Sequence, residues 1–203
     1  MESNVYNELL EIWHEFRDKT NIKKNYIEFI SALLYISVND YYTQFLKLYN
    51  ERNNYYIADL IDEAIGRIQE DEDKKLFSNV KFKNVIVNRE IGEENVLSTI
   101  IYRLYKLIKN APIDEVGRAY QKLIEKIISD GELAIDNREF YTPTCITDLM
   151  ADSIVSDRTT KVFDPICGSG NFLVSAKTIS NCNVIGEESN INYYNICKTN
   201  LLL

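Results

Sequence analysis

The stretch Lys161-Val162-Phe163-Asp164-Pro165-Ile166-Cys167-Gly168-Ser169-Gly170 decides the fold of this chain. Its first residues are typical of a β-strand, its glycines predict a tight turn, and the apolar residues that follow recur at helical spacing. A second strand-like run at residues 183–186 is followed by two acids, Glu187 and Glu188, and by another helical pattern from about Ile191. Strand, glycine-rich turn, helix, strand and acid, in that order, predict the opening of a nucleotide-binding α/β sheet.

The polar residues of this stretch indicate which kind of ligand it suits. A glycine-containing turn lets a ligand approach the main chain, here at Gly168 and Gly170, and the N-terminus of the next helix adds N–H groups. Asp164 at the strand end would repel a pyrophosphate but suits an ammonium group, and Glu187 or Glu188 is placed to accept hydrogen bonds from a ribose diol. S-adenosylmethionine, a nucleoside with a cationic amino-acid tail, fits these features. The alternative is a purely structural turn with solvated acids.

Residues 4–130 have a different pattern, because their apolar residues recur at helical spacing almost throughout. One such stripe comprises Ile113, Val116, Tyr120, Leu123 and Ile127. The apolar stretch from Tyr26 to Tyr49 predicts a helix buried between neighbours, and residues 85–87 predict a short strand. Thr142 and Pro143 predict the N-cap and the first residue of a later helix. We therefore predict an α-helical N-terminal domain over residues 1–130 and the start of an α/β Rossmann-like domain, with an incomplete sheet, over residues 131–203.

Composition excludes several classes of protein. The chain has 203 residues, of which 45% are hydrophobic and 27% charged, as is typical of a soluble globular protein. Its apolar stretches are too short to cross a bilayer, so no membrane partner is expected. The four cysteines form no C-x-x-C pair and His14 is the only histidine, which predicts no metal site and reduced thiols in a cytoplasmic protein. The net charge of −8 has the wrong sign for gripping nucleic acid unaided, so another polypeptide or further residues would supply most of that grip.

Three motifs of the second half resemble those of a known family. They are Phe140-Tyr141-Thr142-Pro143, then Asp164-Pro165-Ile166-Cys167-Gly168-Ser169-Gly170-Asn171-Phe172-Leu173, then Ile185-Gly186-Glu187-Glu188-Ser189-Asn190. Together they look like the cofactor motifs of adenine-N6 DNA methyltransferases, and in particular of the methylation (modification) subunit of type I restriction-modification systems. The resemblance is specific over residues 113–203 and loose before them.

The resemblance implies a role for each motif in binding S-adenosylmethionine. Asp164 would bind the methionine amino group and the turn Gly168-Ser169-Gly170 would pack on the cofactor. Glu188 would hold the ribose hydroxyls, and it is preferred to Glu187 because the family pattern is glycine, variable residue, acid. The residues implied to close over the methionine end are Glu139, Phe140, Tyr141, Thr142, Pro143 and Thr144. The implied partners are DNA through a full complex, a specificity subunit and a second methylation subunit, with a restriction subunit as an optional further partner.

The catalytic motif of the family has no counterpart in this sequence. Adenine-N6 enzymes use an (Asn/Asp)-Pro-Pro-(Tyr/Phe) loop that accepts hydrogen bonds from the amine and stacks on the flipped base. The prolines of this chain lie only at positions 112, 143 and 165, so no catalytic residue is predicted. We expect a truncated methyltransferase that is inactive alone. The alternatives are a helical protein-interaction module without catalysis, and a methyltransferase for a small molecule or a protein.

Overall fold

The structure is a computed structural model that describes residues 4–21, 26–38, 41–53, 56–85, 96–131 and 141–203. Its N-terminal part is helical, and two strands and three further helices follow. The helices are α1 (Asn4–Lys19), α2 (Tyr26–Ile36), α3 (Tyr42–Asn50), α4 (Ile57–Asp71), α5 (Val96–Asn110), α6 (Ile113–Ser129), α7 (Thr144–Ile154), α8 (Asn171–Ile179) and α9 (Ile191–Leu202). The strands are β1 (Lys161–Asp164) and β2 (Asn183–Gly186), and a single 3₁₀ turn spans Phe82–Asn84. No helix within these described ranges is both long and apolar enough to cross a membrane.

Helix α2 lies within the helical core and is buried along almost its whole length, as its composition predicts. The helix predicted from Tyr26 is shorter than its apolar pattern, because α2 ends at Ile36 and a separate helix, α3, begins at Tyr42. The Ser37 hydroxyl donates to the Leu34 carbonyl at 2.7 Å. A serine that bonds back to its own backbone competes with continuation of the helix. An apolar run therefore predicted the burial correctly but not the break.

The stripe predicted along α6 is confirmed, since Val116, Tyr120, Leu123 and Ile127 are all buried. Ile113 is the exception and remains exposed at the start of the helix. Pro112 is the N-cap of α6, and its carbonyl accepts from the Glu115 N–H at 3.0 Å. The helix thus begins directly after the proline, and two acids, Asp114 and Glu115, lie in its first turn.

The strand predicted at residues 85–87 falls largely outside the described residues. Val85, which is described, donates its N–H to the Phe82 carbonyl at 2.9 Å and so closes the 3₁₀ turn. Val85 is therefore not part of a strand, and the rest of the prediction lies outside the described residues.

The second half contains the strand, turn, helix and strand that its sequence predicts. Strands β1 and β2 are parallel, with Asp164 opposite Gly186 at their carboxyl ends. Helix α8 connects the two strands, and α7 packs against α8. Ala151, Val162, Leu173 and Ala176 form a small core there. Within the described residues the sheet has these two strands alone, so its extension into a Rossmann-like fold stays a prediction.

Helix α9 joins the two parts of the chain. It packs against α2 and α6, and its residue Ile196 belongs to the helical core. Its Asn195 side chain accepts the buried Phe77 N–H at 2.8 Å. The helix that follows β2 therefore contributes to the core of the N-terminal region, and the domain boundary at residue 130 remains a prediction.

Candidate cofactor site

The glycine-rich turn links the end of β1 to the start of α8. Gly168 and Gly170 have φ angles of +55° and +79°, in the left-handed region that favours glycine. The Gly170 N–H donates to the Cys167 carbonyl at 2.8 Å, and Gly170 is the N-cap of α8. This arrangement is the tight turn that the sequence predicts.

Close packing inside the protein gives Gly170 a second reason to be glycine. A Cβ atom added there would lie 2.6 Å from Cys197 Sγ of α9. Gly186, at the end of β2, is restricted in the same way, because its added Cβ would lie 2.8 Å from Cys167 Sγ. The sequence predicts that a ligand approaches the main chain at Gly170, and in the structure Cys197 of α9 approaches it closely.

The two predicted acids lie on either side of this turn. The Asp164 carboxylate accepts the Ile166 N–H at 3.1 Å. One oxygen of Glu188 accepts the Gly168 N–H at 3.0 Å, and the other accepts the Asn190 N–H at 2.6 Å. Glu187 is exposed and meets the turn through its backbone, since its carbonyl accepts from Cys167 N–H and its N–H donates to the Asp164 carbonyl, each at 3.0 Å. The geometry therefore distinguishes Glu188, whose carboxylate faces the turn, from Glu187.

Two residues of the predicted methionine-binding segment, Glu139 and Phe140, lie outside the described residues. Of the other four, Thr142 lies beside the start of α8, where the Asn171 amide donates to the Thr142 carbonyl at 3.2 Å. The Tyr141 hydroxyl is buried beside the Asn171, Thr144 and Glu125 side chains, and it forms no well-aligned hydrogen bond within the described residues. Burial raises the pKa of Tyr141, so the phenol stays protonated and can donate a hydrogen bond.

The cap predicted for α7 is wrong by one residue. Pro143, with φ −56° and ψ 145°, is extended and serves as the N-cap, and the helix begins at Thr144. The residue before a proline is itself disfavoured in helical conformation, which keeps Thr142 outside the helix. Its capping role is taken by Glu125 of α6, which accepts from the Thr144 N–H at 2.9 Å and from the Thr144 hydroxyl at 2.8 Å.

Sequence reasoning missed the residues that hold these motifs together. Asn200 of α9 is buried and its amide donates to the Ser169 carbonyl at 3.1 Å and to the Asn171 side chain at 3.0 Å. Asn171 in turn reaches Thr142, so a chain of amides connects α9, the turn and the segment before α7. Asn200 is one of three asparagines in α9, so nothing local in the sequence singles it out, and nothing local indicates Glu125.

The acceptors around the turn can receive hydrogen bonds from cationic and hydroxyl groups of a ligand. No group of three or more histidine, cysteine or acidic side chains that could hold a metal ion occurs within the described ranges. Two half-buried carboxylates at the carboxyl ends of parallel strands, beside N–H groups of a turn, can accept from ammonium and hydroxyl groups. Both Glu188 oxygens are already acceptors, but a carboxylate offers about four lone-pair sites, so capacity remains for a diol.

Comparison with known proteins identifies relatives of this chain. Residues 111–203 match the family model of the N-6 DNA methylases. The MjaIX type I restriction enzyme methylase subunit of Methanocaldococcus jannaschii is 28% identical over 160 residues, which are 72% of this chain and 27% of that protein. The MpnII type I restriction enzyme methylase subunit of Mycoplasma pneumoniae is 27% identical over 176 residues, which are 76% of this chain and 32% of that protein. The chain thus spans about a third or less of these curated relatives.

A solved structure shares the fold. The crystal structure of the type I restriction-modification system methyltransferase subunit from Streptococcus thermophilus matches with a TM-score of 0.54 at 17% identity, over 97% of this chain and 55% of that one. The structural match therefore extends across the N-terminal helices, where the sequence motifs are weak. The resemblance found in the sequence is confirmed: this chain is similar to the methylation subunits of type I restriction-modification systems, and its residues 111–203 carry the sequence pattern of the N-6 DNA methylases.

Proposed function

We propose that residues 139–203 form the S-adenosylmethionine-binding part of a type I DNA methyltransferase subunit. The proposal rests on the arrangement of two carboxylates around the turn. Asp164 accepts the Ile166 N–H and Glu188 accepts the Gly168 N–H, so both acids lie beside the same stretch of backbone. Asp164 would hold the ammonium group, Glu188 the ribose hydroxyls, and Gly168, Ser169 and Gly170 the surface on which the cofactor lies. The segment from Glu139 to Thr144 would cover the methionine end.

The buried Tyr141 hydroxyl supports this assignment. A buried hydroxyl that forms no well-aligned hydrogen bond within the described residues is available to donate to a water or a ligand. A carboxylate such as that of the methionine tail would accept from this hydroxyl. The residues present therefore fit the group, and the bound cofactor would supply an electrophilic methyl.

The acceptor that we propose is adenine N6 in DNA. This follows from the similarity to type I methylase subunits and from the N-6 DNA methylase match. The 203 residues contain no Pro-Pro-aromatic loop to hold a flipped base, and their charge of −8 opposes DNA binding. We infer that this chain alone does not transfer a methyl group, and that DNA is engaged in a cytoplasmic complex with a specificity subunit and a second methylation subunit.

Exposed apolar residues favour assembly with further polypeptide. In α7 they are Ile146, Leu149, Met150 and Ile154, and on the sheet they are the register neighbours Phe163 and Ile185. The same surface favours the second candidate, a helical interaction module that does not bind cofactor. Cofactor binding separates the two functions.

The decisive experiment is calorimetric titration of the chain with S-adenosylmethionine and, separately, with ATP. We expect S-adenosylmethionine to bind and ATP to fail, because Asp164 would repel phosphate groups. Equal binding of both, or of neither, would refute the cofactor assignment. Tritium transfer from labelled S-adenosylmethionine to unmethylated DNA should stay at background with this chain, and incorporation above background would refute the inferred lack of activity.

A further inference from the structure

Two cysteines from distant parts of the sequence meet behind the glycine-rich turn. Cys167 belongs to the turn after β1 and Cys197 lies on α9, yet their Sγ atoms are 3.8 Å apart. Both are free thiols, with Cys167 half-buried and Cys197 buried. Cys145 is exposed, and Cys182 is buried with its thiol directed to the Ala176 carbonyl at 3.8 Å.

The surroundings of the two sulfur atoms leave little free space. An added Cβ on Gly186 would lie 2.8 Å from Cys167 Sγ, and one on Gly170 would lie 2.6 Å from Cys197 Sγ. Glycines at positions 170 and 186 therefore make room for this sulfur pair. Any movement of the sulfur atoms must be transmitted to the turn and to the end of β2.

The electrostatic surroundings make the two thiols unequal. The hydrogen bond from Cys197 lowers the pKa of Cys167, although burial and the charges of Asp164 and Glu188 oppose this effect. The same contact with Cys167, together with burial, raises the pKa of Cys197. Cys167 is therefore the thiol that ionises first, and its greater exposure makes it the one that an oxidant reaches.

We propose that Cys167 and Cys197 are a reversible oxidation site at which a peroxide forms a disulfide that disrupts the cofactor turn. The Cys167 thiolate attacks one peroxide oxygen, the O–O bond breaks, and a sulfenic acid and hydroxide form. Cys197 sulfur then attacks the Cys167 sulfur, the S–O bond breaks, and water leaves with the Cys197 proton. In sum, two thiols and one hydrogen peroxide give one disulfide and two waters. The effect on the cofactor rests on the proposed function, whereas disulfide formation does not.

The disulfide changes the turn because its geometry is short and fixed. The sulfur atoms must approach from 3.8 Å to about 2.0 Å, which pulls Cys167 toward α9. The Cys167 N–H bonds to the Glu187 carbonyl, and the next N–H, of Gly168, bonds to the Glu188 carboxylate. Displacing these two amides moves the acid that would hold the ribose. We expect the affinity for S-adenosylmethionine to fall at least tenfold on oxidation.

The experiment uses the full chain with Cys145→Ser and Cys182→Ser, so that only the proposed pair remains. This double variant is treated with hydrogen peroxide, and half of the sample is then reduced with dithiothreitol. Both halves are alkylated, and their intact masses are measured by mass spectrometry. We expect the loss of two hydrogen atoms, protection of both thiols from alkylation, and recovery on reduction. Further replacement of Cys197→Ser should abolish this loss and leave oxygen addition at Cys167 alone. Calorimetry with S-adenosylmethionine is run on the reduced and oxidised double variant.

Each result decides a different part of the proposal. The proposed oxidation site is refuted if Cys167 and Cys197 can still be alkylated after treatment with a peroxide dose that oxidises Cys145 in the natural chain. A disulfide that leaves the affinity within about twofold overturns its effect on the turn. A third outcome is a chain that forms the disulfide but does not bind S-adenosylmethionine even when reduced. This outcome establishes the oxidation site, and it refutes both the proposed cofactor and the proposed effect of oxidation on its binding.

Discussion

Glu187 and Glu188 are adjacent acids with different surroundings. The Glu188 carboxylate accepts two backbone N–H groups of the turn region, whereas the Glu187 side chain is exposed. Asp164 shares the turn with Glu188 and accepts the Ile166 N–H. These three acids therefore allow the cofactor assignment to be tested residue by residue.

Replacing Asp164 with Asn should weaken S-adenosylmethionine binding about tenfold to a hundredfold. The change removes a charge-assisted hydrogen bond to the ammonium group, worth roughly 1.5–3 kcal/mol. Glu188→Gln should act similarly through the ribose, because an amide cannot accept at both ends. Calorimetry measures both effects, with Glu187→Gln as the matched control that leaves affinity unchanged. Wild-type affinity in both Asp164→Asn and Glu188→Gln would contradict the site.

Glu28 of α2 should make the stability of this chain depend on pH. Burial raises the pKa of Glu28 from 4.5 to about 7, opposed by a hydrogen bond from the Asn79 amide. Between these pH values the folded state binds more protons than the unfolded state, so this contribution to stability is complete below pH 4.5 and is lost as the pH rises through 7. Glu28→Gln should therefore be more stable than the natural chain at pH 8, by roughly 1–3 kcal/mol.

Urea denaturation at pH 5 and pH 8 measures this difference. Exposed Glu63, which pairs with Arg67 on the surface of α4, provides the control Glu63→Gln. Other carboxylates shift in the opposite direction, since hydrogen bonds with Tyr35 and Lys198 outweigh burial and lower the pKa of Glu72. The comparison of variants isolates Glu28 from them. An equal loss of stability between the two pH values in Glu28→Gln and the natural chain would contradict the prediction.

At the level of elements, α7 depends on α6 for its first turn. Glu125→Ala removes the acceptor of both the Thr144 N–H and the Thr144 hydroxyl. Loss of a helix cap costs about 0.5–2 kcal/mol, so we expect a fall of that size in the free energy of unfolding. Glu125→Gln keeps one acceptor oxygen and should cost less. Chemical denaturation checks the order, and an alanine variant as stable as the glutamine variant would argue against this cap.

The elements that sequence predicts well here are those specified by nearby residues. The stripe of α6 and the strand–turn–helix–strand order depend on spacing within a few residues, and both occur. The cap of α7 does not depend on nearby residues, because Glu125 lies nineteen residues from Thr144. Gly170 is a mixed case: its turn is visible in the sequence, but its packing against Cys197 depends on the position of α9. The same holds for Asn200, whose partners are on α8 and the turn.

At the scale of the whole molecule, α9 binds the two parts of the chain together. Ile196 is fully buried in the helical core. Ile196→Ala should lower the free energy of unfolding by about 2–5 kcal/mol, as is typical of a large-to-small change in a core. Ile154→Ala, at a 69% exposed position of α7, is the matched control and should have little effect. Urea denaturation followed by circular dichroism measures both, and equal effects would place α9 outside the cooperative core.

The hydrogen bond between Phe77 and Asn195 joins two residues that are synthesised far apart in time. It spans 118 residues, and Asn195 donates in addition to Asn79 at 2.9 Å. At about 5–20 residues per second, the ribosome needs several seconds to travel from one partner to the other. Throughout that interval the Phe77 N–H lacks the Asn195 side chain that accepts its hydrogen bond in the folded protein. This hydrogen bond of the early region can therefore form only after translation of α9, a segment made long after the helices that it joins.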